Sequence, residues 1–362
     1  MKKNVAVIFG GVSSEYEISL KSAFNVLSKL SLKNYNVIII GITKSGRWLK
    51  YNDKLENIKD DSWENHPFNT NIVFSTDRKN KGIFKFNKDK FEFEKIDVVF
   101  PVLHGKNGED GKIQSLLELA DLPFVGCSSV ASANCMDKTI TNLILKEVGI
   151  KKIKSYWFYF YDYEENSEKI FTKIEEKIGD YPIFVKPARS GSSIGVRKVS
   201  NKTELSDAIK LTAKEDYKIL VEEAIIGKEL ECAILGNENC IVSSIGEIFT
   251  NNGFYDYDAK YLNNETQMSI PANIDDEISK KIQNIAIKAY KTMECSGLAR
   301  VDFFLKKSNG EIILNEINTI PGFTNVSMYP RLMDAFGFDL ENLLDKLIDL
   351  AFLKTTKLKS HK

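Results

Sequence analysis

The 362 residues are 43% hydrophobic and 28% charged, and 50 Lys and Arg balance 50 Asp and Glu to a formal net charge of zero. The length exceeds one average domain, so two or three packed lobes are expected, and the apolar content excludes a disordered chain. Charge balance argues against a nucleic-acid partner, because that affinity rests on accumulated Lys and Arg; the lack of any apolar run of roughly 18 to 20 residues argues against a membrane span.

Asn4-Val-Ala-Val-Ile-Phe-Gly-Gly11 is a continuous apolar run stopped by two glycines, the pattern of a buried parallel strand entering a loop. Its apolar stretch, Val5 to Phe9, is too short for a signal-peptide core, so a cytoplasmic location is expected. A helix over Ser19 to Leu30 and a strand over Tyr35 to Ile42 complete a βαβ unit. Arg47 to Lys95 is polar, lysine-rich and dotted with aromatics, and reads as an excursion of short strands and loops; the parallel-strand pattern resumes at Ile96 to Leu103. A short helix over Ile113 to Ala120 and a strand end at Pro123 to Gly126 precede one helical stretch from Ser129 to Gly149. Strands and helices then alternate through Tyr156–Tyr161, Glu168–Ile178, Ile183–Lys186, Val196–Val199, Lys202–Ala213 and Ile219–Glu223. Strands over Glu229–Leu235 and Ile241–Ile248, a long helix over Asp275–Met293, two strands beginning at Gly297 and Ile312, and an amphipathic helix near Leu340–Phe352 complete an α/β chain.

Five scattered cysteines without a C-x-x-C pair fit reduced, mostly buried thiols, and three histidines leave little room for a histidine metal site. Gly41-Ile-Thr-Lys-Ser-Gly46 has P-loop spacing, but Arg47-Trp48 replaces the required Lys-Ser/Thr. Gly191-Ser-Ser193-Ile-Gly195 matches G-x-S-x-G, yet a strand pattern follows where a nucleophile elbow needs a helix. Val185 to Gly195 instead places Lys186 at a strand end before small, flexible residues, which suits either a loop covering phosphates or a hairpin turn with a solvated lysine. Arg300-Val-Asp302 and Glu316-Ile-Asn318 each end a strand pattern, with their charged and amide side chains on one face by period-2 alternation. If those strands are neighbours, Asp302, Glu316 and Asn318 bring together three oxygen donors suited to Mg²⁺ on nucleotide phosphates; the alternative is a salt bridge to Arg300.

Six blocks in order resemble the D-alanine–D-alanine ligases of the ATP-grasp fold: Gly10-Gly-Val-Ser-Ser-Glu15, His104-Gly-Lys-Asn-Gly-Glu-Asp-Gly111, Val185 through Gly195, Phe254-Tyr-Asp-Tyr-Asp-Ala-Lys-Tyr261, Arg300-Val-Asp302 and Asn315-Glu-Ile-Asn-Thr-Ile-Pro-Gly-Phe-Thr324. The resemblance runs from about residue 4 to about residue 335. It implies a three-lobed α/β protein with a substrate-binding domain over 1–127, a central ATP-grasp domain over 128–226 and a C-terminal catalytic domain over 227–362. It further implies an enzyme that joins two D-alanine molecules through an acyl phosphate, using ATP and two Mg²⁺ ions for which Mn²⁺ can stand in, and it suggests a homodimer. By the same resemblance, Lys138, Lys186 and Ser193 meet the phosphates and Lys260 reaches the γ-phosphate. Glu222, Glu223 and Glu229 form the adenosine side, and Asp302, Glu316 and Asn318 hold the metals.

Glu15 would anchor the first substrate's ammonium in a set with Ser192 and Tyr261, while Arg300 and the Gly322 N–H would stabilise the oxyanion. Ser327 and Gly322 fall where the second carboxylate binds, Met328 marks the D-alanine type, and His104 either meets the first substrate or packs its own loop. Residues 251–264, rich in Asn, Gly and Asp and carrying Lys260 and Tyr261, read as a lid. D-serine as second substrate is the nearest alternative, the D-lactate ligases resemble the Phe254 to Tyr261 block less, and a nucleotide-binding regulator without catalysis is the alternative of another class.

Overall fold

A computed structural model describes residues 2–87, 90–249 and 267–360. The opening apolar run forms β1 (Lys3–Gly10), buried along its last six residues, followed by α1 (Tyr16–Lys29) and the parallel β2 (Tyr35–Ile42). The stretch read as an excursion extends this sheet in strict antiparallel order through β3 (Trp48–Tyr51), α2 (Glu56–Lys59), β4 (Thr70–Phe74), β5 (Gly82–Asn87) and β6 (Lys90–Lys95). Cross-strand pairs explain why so polar a stretch forms strands: Phe84 meets Phe93 with ring centroids 5.4 Å apart, and Lys85 reaches Glu92 and Glu94. β7 (Val98–Val102) then returns to the other side of β1, giving the order β6-β5-β4-β3-β2-β1-β7. The connections diverge between β1 and β7, which opens a crevice at their carboxyl ends where the Glu15 and His104 loops lie.

After α3 (Lys112–Leu119), the single helix expected over 129–149 is two helices, α4 (Ser129–Met136) and α5 (Lys138–Glu147). The break falls on Asp137, whose carboxylate accepts the Thr139 and Ile140 N–H groups as an N-cap and pairs with Lys218 at 2.8 Å. Capping by Asp outcompetes helix continuation and fixes Lys138 as the first helical residue. The central sheet follows from β8 (Ser155–Tyr159), α6 (Phe160–Glu165), α7 (Ser167–Ile178), β9 (Ile183–Pro187), β10 (Arg197–Val199), α8 (Lys202–Thr212) and β11 (Lys218–Glu223), in the order β10-β9-β11-β8.

The last sheet is built by β12 (Gly227–Gly236), β13 (Ile241–Val242), β14 (Gly246–Phe249) and β15 (Gln267–Ser269), then, after α9 (Asp276–Thr292), by β16 (Gly297–Lys306) and β17 (Ile312–Asn318), in the order β15-β14-β12-β16-β17 with β13 on β12. The strand expected over Ile241 to Ile248 is interrupted because Ser243 Oγ turns back to accept the Ala233 N–H and donate to the Ser244 carbonyl. β16 also runs on past Asp302 to Lys306, so Arg300 and Asp302 lie within the strand and not at its end. α10 (Met328–Phe336) and α11 (Leu340–Ser360) close the chain.

One apolar core joins β1, β7 and α1 to α10 and α11; a second joins α4 and α5 to α9 and the β12–β17 sheet; a third is confined to the central sheet and its helices. All five cysteines are free thiols and four are buried. No helix among the described residues is long and apolar enough to cross a membrane.

Candidate active site

The β9–β11 face of the central sheet and the β12–β16–β17 face of the last sheet enclose a cavity of about 110 Å³, and a second of about 70 Å³ continues from it toward the β1 and β7 loops. The two share Gly191, Ser192, Glu231 and Glu316 in their walls. Lys138, Lys186, Ser193, Glu222, Glu223 and Glu229 all line the first cavity.

Lys186 projects from β9 to pair with Glu222 of the adjoining β11 at 2.7 Å. Burial alone would favour the neutral amine, but the charge and hydrogen bond of Glu222, with Glu316 and Glu229 beyond, offset it and hold the ammonium above its ordinary pKa. Lys138 donates to the Ser190 carbonyl at 2.7 Å and lies 3.5 Å from Glu316. Glu223 accepts the Lys154 N–H at 3.2 Å. The loop between β9 and β10 carries Ser192 and Ser193 at φ 48° and 58°, two consecutive non-glycine residues in the left-handed region. Such strain persists where surrounding contacts over-determine the backbone, as they do at binding loops.

β16 and β17 are neighbours, with Arg300 opposite Asn318 and Asp302 opposite Glu316. Arg300 donates to both Asp302 oxygens at 2.8 and 2.7 Å and forms an ion pair with Glu231 of β12, Nε to carboxylate 2.9 Å, and Asn318 Nδ2 donates to Asp302 at 3.0 Å. The salt bridge considered as an alternative to a metal site therefore exists, buried and shared between two carboxylates. Desolvation weakens the guanidinium's hold on its proton, but the Asp302 and Glu231 charges more than compensate and keep Arg300 above its ordinary value. Glu231 was missed in the sequence, although it follows Glu229 by two residues on one strand and so shares its face. Asp302, Glu316 and Asn318 amount to two carboxylates and one neutral amide, a hard-oxygen set that fits Mg²⁺ only if phosphate oxygens and water supply the remaining positions.

In the second cavity, the Glu15 carboxylate is buried at the meeting of three loops and accepts a short hydrogen bond from Ser192 Oγ. Room for it depends on two glycines: a Cβ on Gly105, at φ 67°, would collide with Glu15 Oε2, and one on Gly191 would lie 2.8 Å from the same atom. His104 is buried with both ring nitrogens engaged, Nδ1 with the Ile320 carbonyl at 3.1 Å and Nε2 with Ser22 Oγ at 3.0 Å. Because a carbonyl can only accept, Nδ1 carries a proton, with the Glu109 carboxylate 3.7 Å from the same nitrogen; Nε2 shares a hydrogen bond with Ser22 Oγ, which also accepts the Phe323 N–H at 3.2 Å. Gly322 lies against Ser327, whose hydroxyl accepts the Thr324 N–H at 3.0 Å, and Met328 is a buried wall packed on Gly246. Lys260, Tyr261 and the stretch 251–264 read as a lid lie outside the described residues.

Residues 4–127 match the family model for the D-ala D-ala ligase N-terminus, and residues 144–349 match the model for its C-terminus. The D-alanine–D-alanine ligase of Acetivibrio thermocellus is 46% identical over 362 residues, covering 97% of this chain and 96% of its own. That of Caldicellulosiruptor bescii is 45% identical, covering 100% and 98%. Among solved structures, VanG D-Ala:D-Ser ligase from Enterococcus faecalis matches with a TM-score of 0.87 at 43% identity, over 97% of this chain and 100% of that one. The D-alanine-D-alanine ligase from Coxiella burnetii matches with a TM-score of 0.85 at 34% identity, over 99% and 98%. Both family models and relatives aligned along nearly the whole length lead to one conclusion: the chain belongs to the D-alanine–D-alanine ligase family and has its ATP-grasp architecture.

Proposed function

We propose that the protein joins two D-alanine molecules at the expense of ATP, forming D-alanyl-D-alanine, ADP and phosphate for cell-wall precursor synthesis. The observation that carries this reading is the junction of the two cavities at Gly191, Ser192, Glu231 and Glu316, which sets the cationic lysine pair beside the Glu15 and Gly322 pocket. ATP lies with its phosphates along Lys138, Lys186 and the Ser193 loop and its adenosine toward Glu222, Glu223 and Glu229. Asp302, Glu316 and Asn318 would hold two Mg²⁺ ions, which supply charge neutralisation on the phosphates.

The carboxylate of the first D-alanine attacks the γ-phosphorus; the new C–O–P bond forms as the β–γ bridge breaks and ADP leaves. No protein nucleophile is required, only alignment and charge. Glu15, fixed by Ser192, anchors the ammonium of that substrate. The resemblance of the Phe254 to Tyr261 block assigns Tyr261 to the same set and Lys260 to the γ-phosphate. The free amine of the second D-alanine then attacks the acyl carbon and phosphate departs. Arg300, held in place beforehand by Asp302 and Glu231, and the Gly322 N–H stabilise the oxyanion at no reorganisation cost. His104, with both nitrogens occupied, clamps the β7 loop to the 320–323 segment and so shapes the pocket without moving a proton. Ser327 and Gly322 receive the second carboxylate.

D-serine as acceptor is the second reading, favoured by the 43% identity to a D-Ala:D-Ser ligase. Against it stands Met328, which offers a hydroxyl no partner, a penalty of about 1–3 kcal/mol for an unpaired buried group. We place the reaction in the cytoplasm, in a homodimer whose mass light scattering would report. The deciding experiment measures phosphate release and product mass with D-alanine alone, with D-serine added and with D-lactate added. D-alanine alone is expected to support full phosphate release and to remain the dominant acceptor. Dominant D-alanyl-D-serine from an equimolar mixture would replace this reading with the second, and no D-alanine-dependent phosphate release would overturn both.

A further inference from the structure

The ladder between β16 and β17 slips by one residue. Glu316 faces Asp302 and Leu314 faces Phe303, so Asn315 between them has no counterpart on β16. A bulge of this kind bends its strand and re-aims the neighbouring side chains. Asn315 and Glu316, on the bulged side of the slip, both line the first cavity.

The Asn315 carbonyl, left out of the ladder, is met from another part of the chain: Lys152 Nζ donates to it at 2.5 Å across 163 residues. The segment carrying this lysine lies along β17 through a parallel bridge from Lys152 to Leu314 and a bond from the Leu314 N–H to the Lys151 carbonyl at 3.1 Å. A neutral donor would satisfy a carbonyl at less cost than an ammonium drawn out of water. The cost is increased by Lys138 and Lys186 nearby and reduced by Glu222 and Glu316, and the balance lowers the Lys152 pKa to about 7.

We propose that Lys152 is a positioning residue: its bond to the bulge at Asn315 aims the Glu316 carboxylate into the metal and nucleotide site. This rests on the assignment of the first cavity to ATP and Mg²⁺. The lysine touches no reacting atom in this account and acts through Glu316.

The test measures Mn²⁺ binding to the protein–ADP complex by the electron paramagnetic resonance of free Mn²⁺, alongside thermal melting, for the wild type and for K152M, K152R and K152Q. Loss of an outer partner of a ligand weakens metal binding by at least about tenfold, which is the loss expected for K152M. K152Q, one bond too short to reach the carbonyl, should show the same loss and gives the reading if K152M does not fold. K152R, which keeps charge and donor, should stay within about twofold of the wild type on the same scale. Folded K152M or K152Q with wild-type Mn²⁺ affinity, whatever its melting temperature, overturns the role of Lys152 alone. A wild type that binds no Mn²⁺ with ADP overturns the nucleotide reading itself.

Discussion

Replacing Arg300 by Met separates the structural and chemical roles of the buried charge cluster. The guanidinium makes two hydrogen bonds to Asp302, at 2.8 and 2.7 Å, and an ion pair with Glu231 at 2.9 Å. Met fills much of the same space but leaves two buried carboxylates facing each other without a cation, and removing one partner of a buried pair costs about 3–5 kcal/mol. At roughly 2–4 °C per kcal/mol for a chain of this size, the melting temperature should fall by on the order of 10 °C. Adding Mg·ADP should restore more stability to R300M than to the wild type, because the metal replaces part of the lost positive charge beside Asp302. Chemistry should suffer separately: loss of one oxyanion donor lowers the chemical step by about 100- to 1,000-fold, with ATP affinity much less affected because the oxyanion exists only in the transition state. Differential scanning fluorimetry with and without Mg·ADP, combined with single-turnover phosphate release, reads both effects. A melting temperature unchanged within error would refute the account of the cluster, and equal losses in ATP binding and in the chemical step would leave Arg300 a structural residue only.

Gly105→Ala should raise the KM for the first D-alanine while leaving ADP affinity unchanged, because the added Cβ collides with Glu15 Oε2 and a non-glycine residue at φ 67° costs about 1–3 kcal/mol; steady-state kinetics and calorimetry check this, and an unchanged KM would remove Glu15 from the substrate site. Lys152, with a pKa lowered to about 7 from 10.5, is mostly neutral at pH 8 before nucleotide arrives. Phosphate charge beside it raises that pKa, so metal-free ADP should bind with proton uptake at pH 8, seen by calorimetry in buffers of different ionisation enthalpy; uptake should vanish in K152M and fade below pH 7, where the lysine is already charged.

Much of the frame was legible from local pattern. Continuous apolar runs stopped by glycine marked β1 and, with the run at Ile96 to Leu103, located β7, because a strand buried on both faces has no polar side to hide. Period-2 spacing put Arg300 with Asp302, and Glu316 with Asn318, on shared faces, since a pleated backbone leaves no alternative. β3 to β6 were blurred because their stabilisation comes from cross-strand pairs such as Phe84–Phe93, which no local window contains. The break at Asp137 was masked by a helical pattern that runs through it, although Asp at a cap is itself a local signal.

By itself, then, the order of residues determined the elements near each motif, the face each charged side chain takes on its strand, and the family. Only the tertiary structure decided which charges meet. Glu231 joins Arg300 because β12 lies beside β16, and Glu15 meets Ser192 because a loop of the first sheet is pressed against a loop of the central one. Lys152 reaches the Asn315 carbonyl because a ladder slip exposes it 163 residues away. These contacts join segments distant in the chain, and their free energy depends on burial and on the sign of every neighbouring charge, quantities that exist only once the sheets have packed.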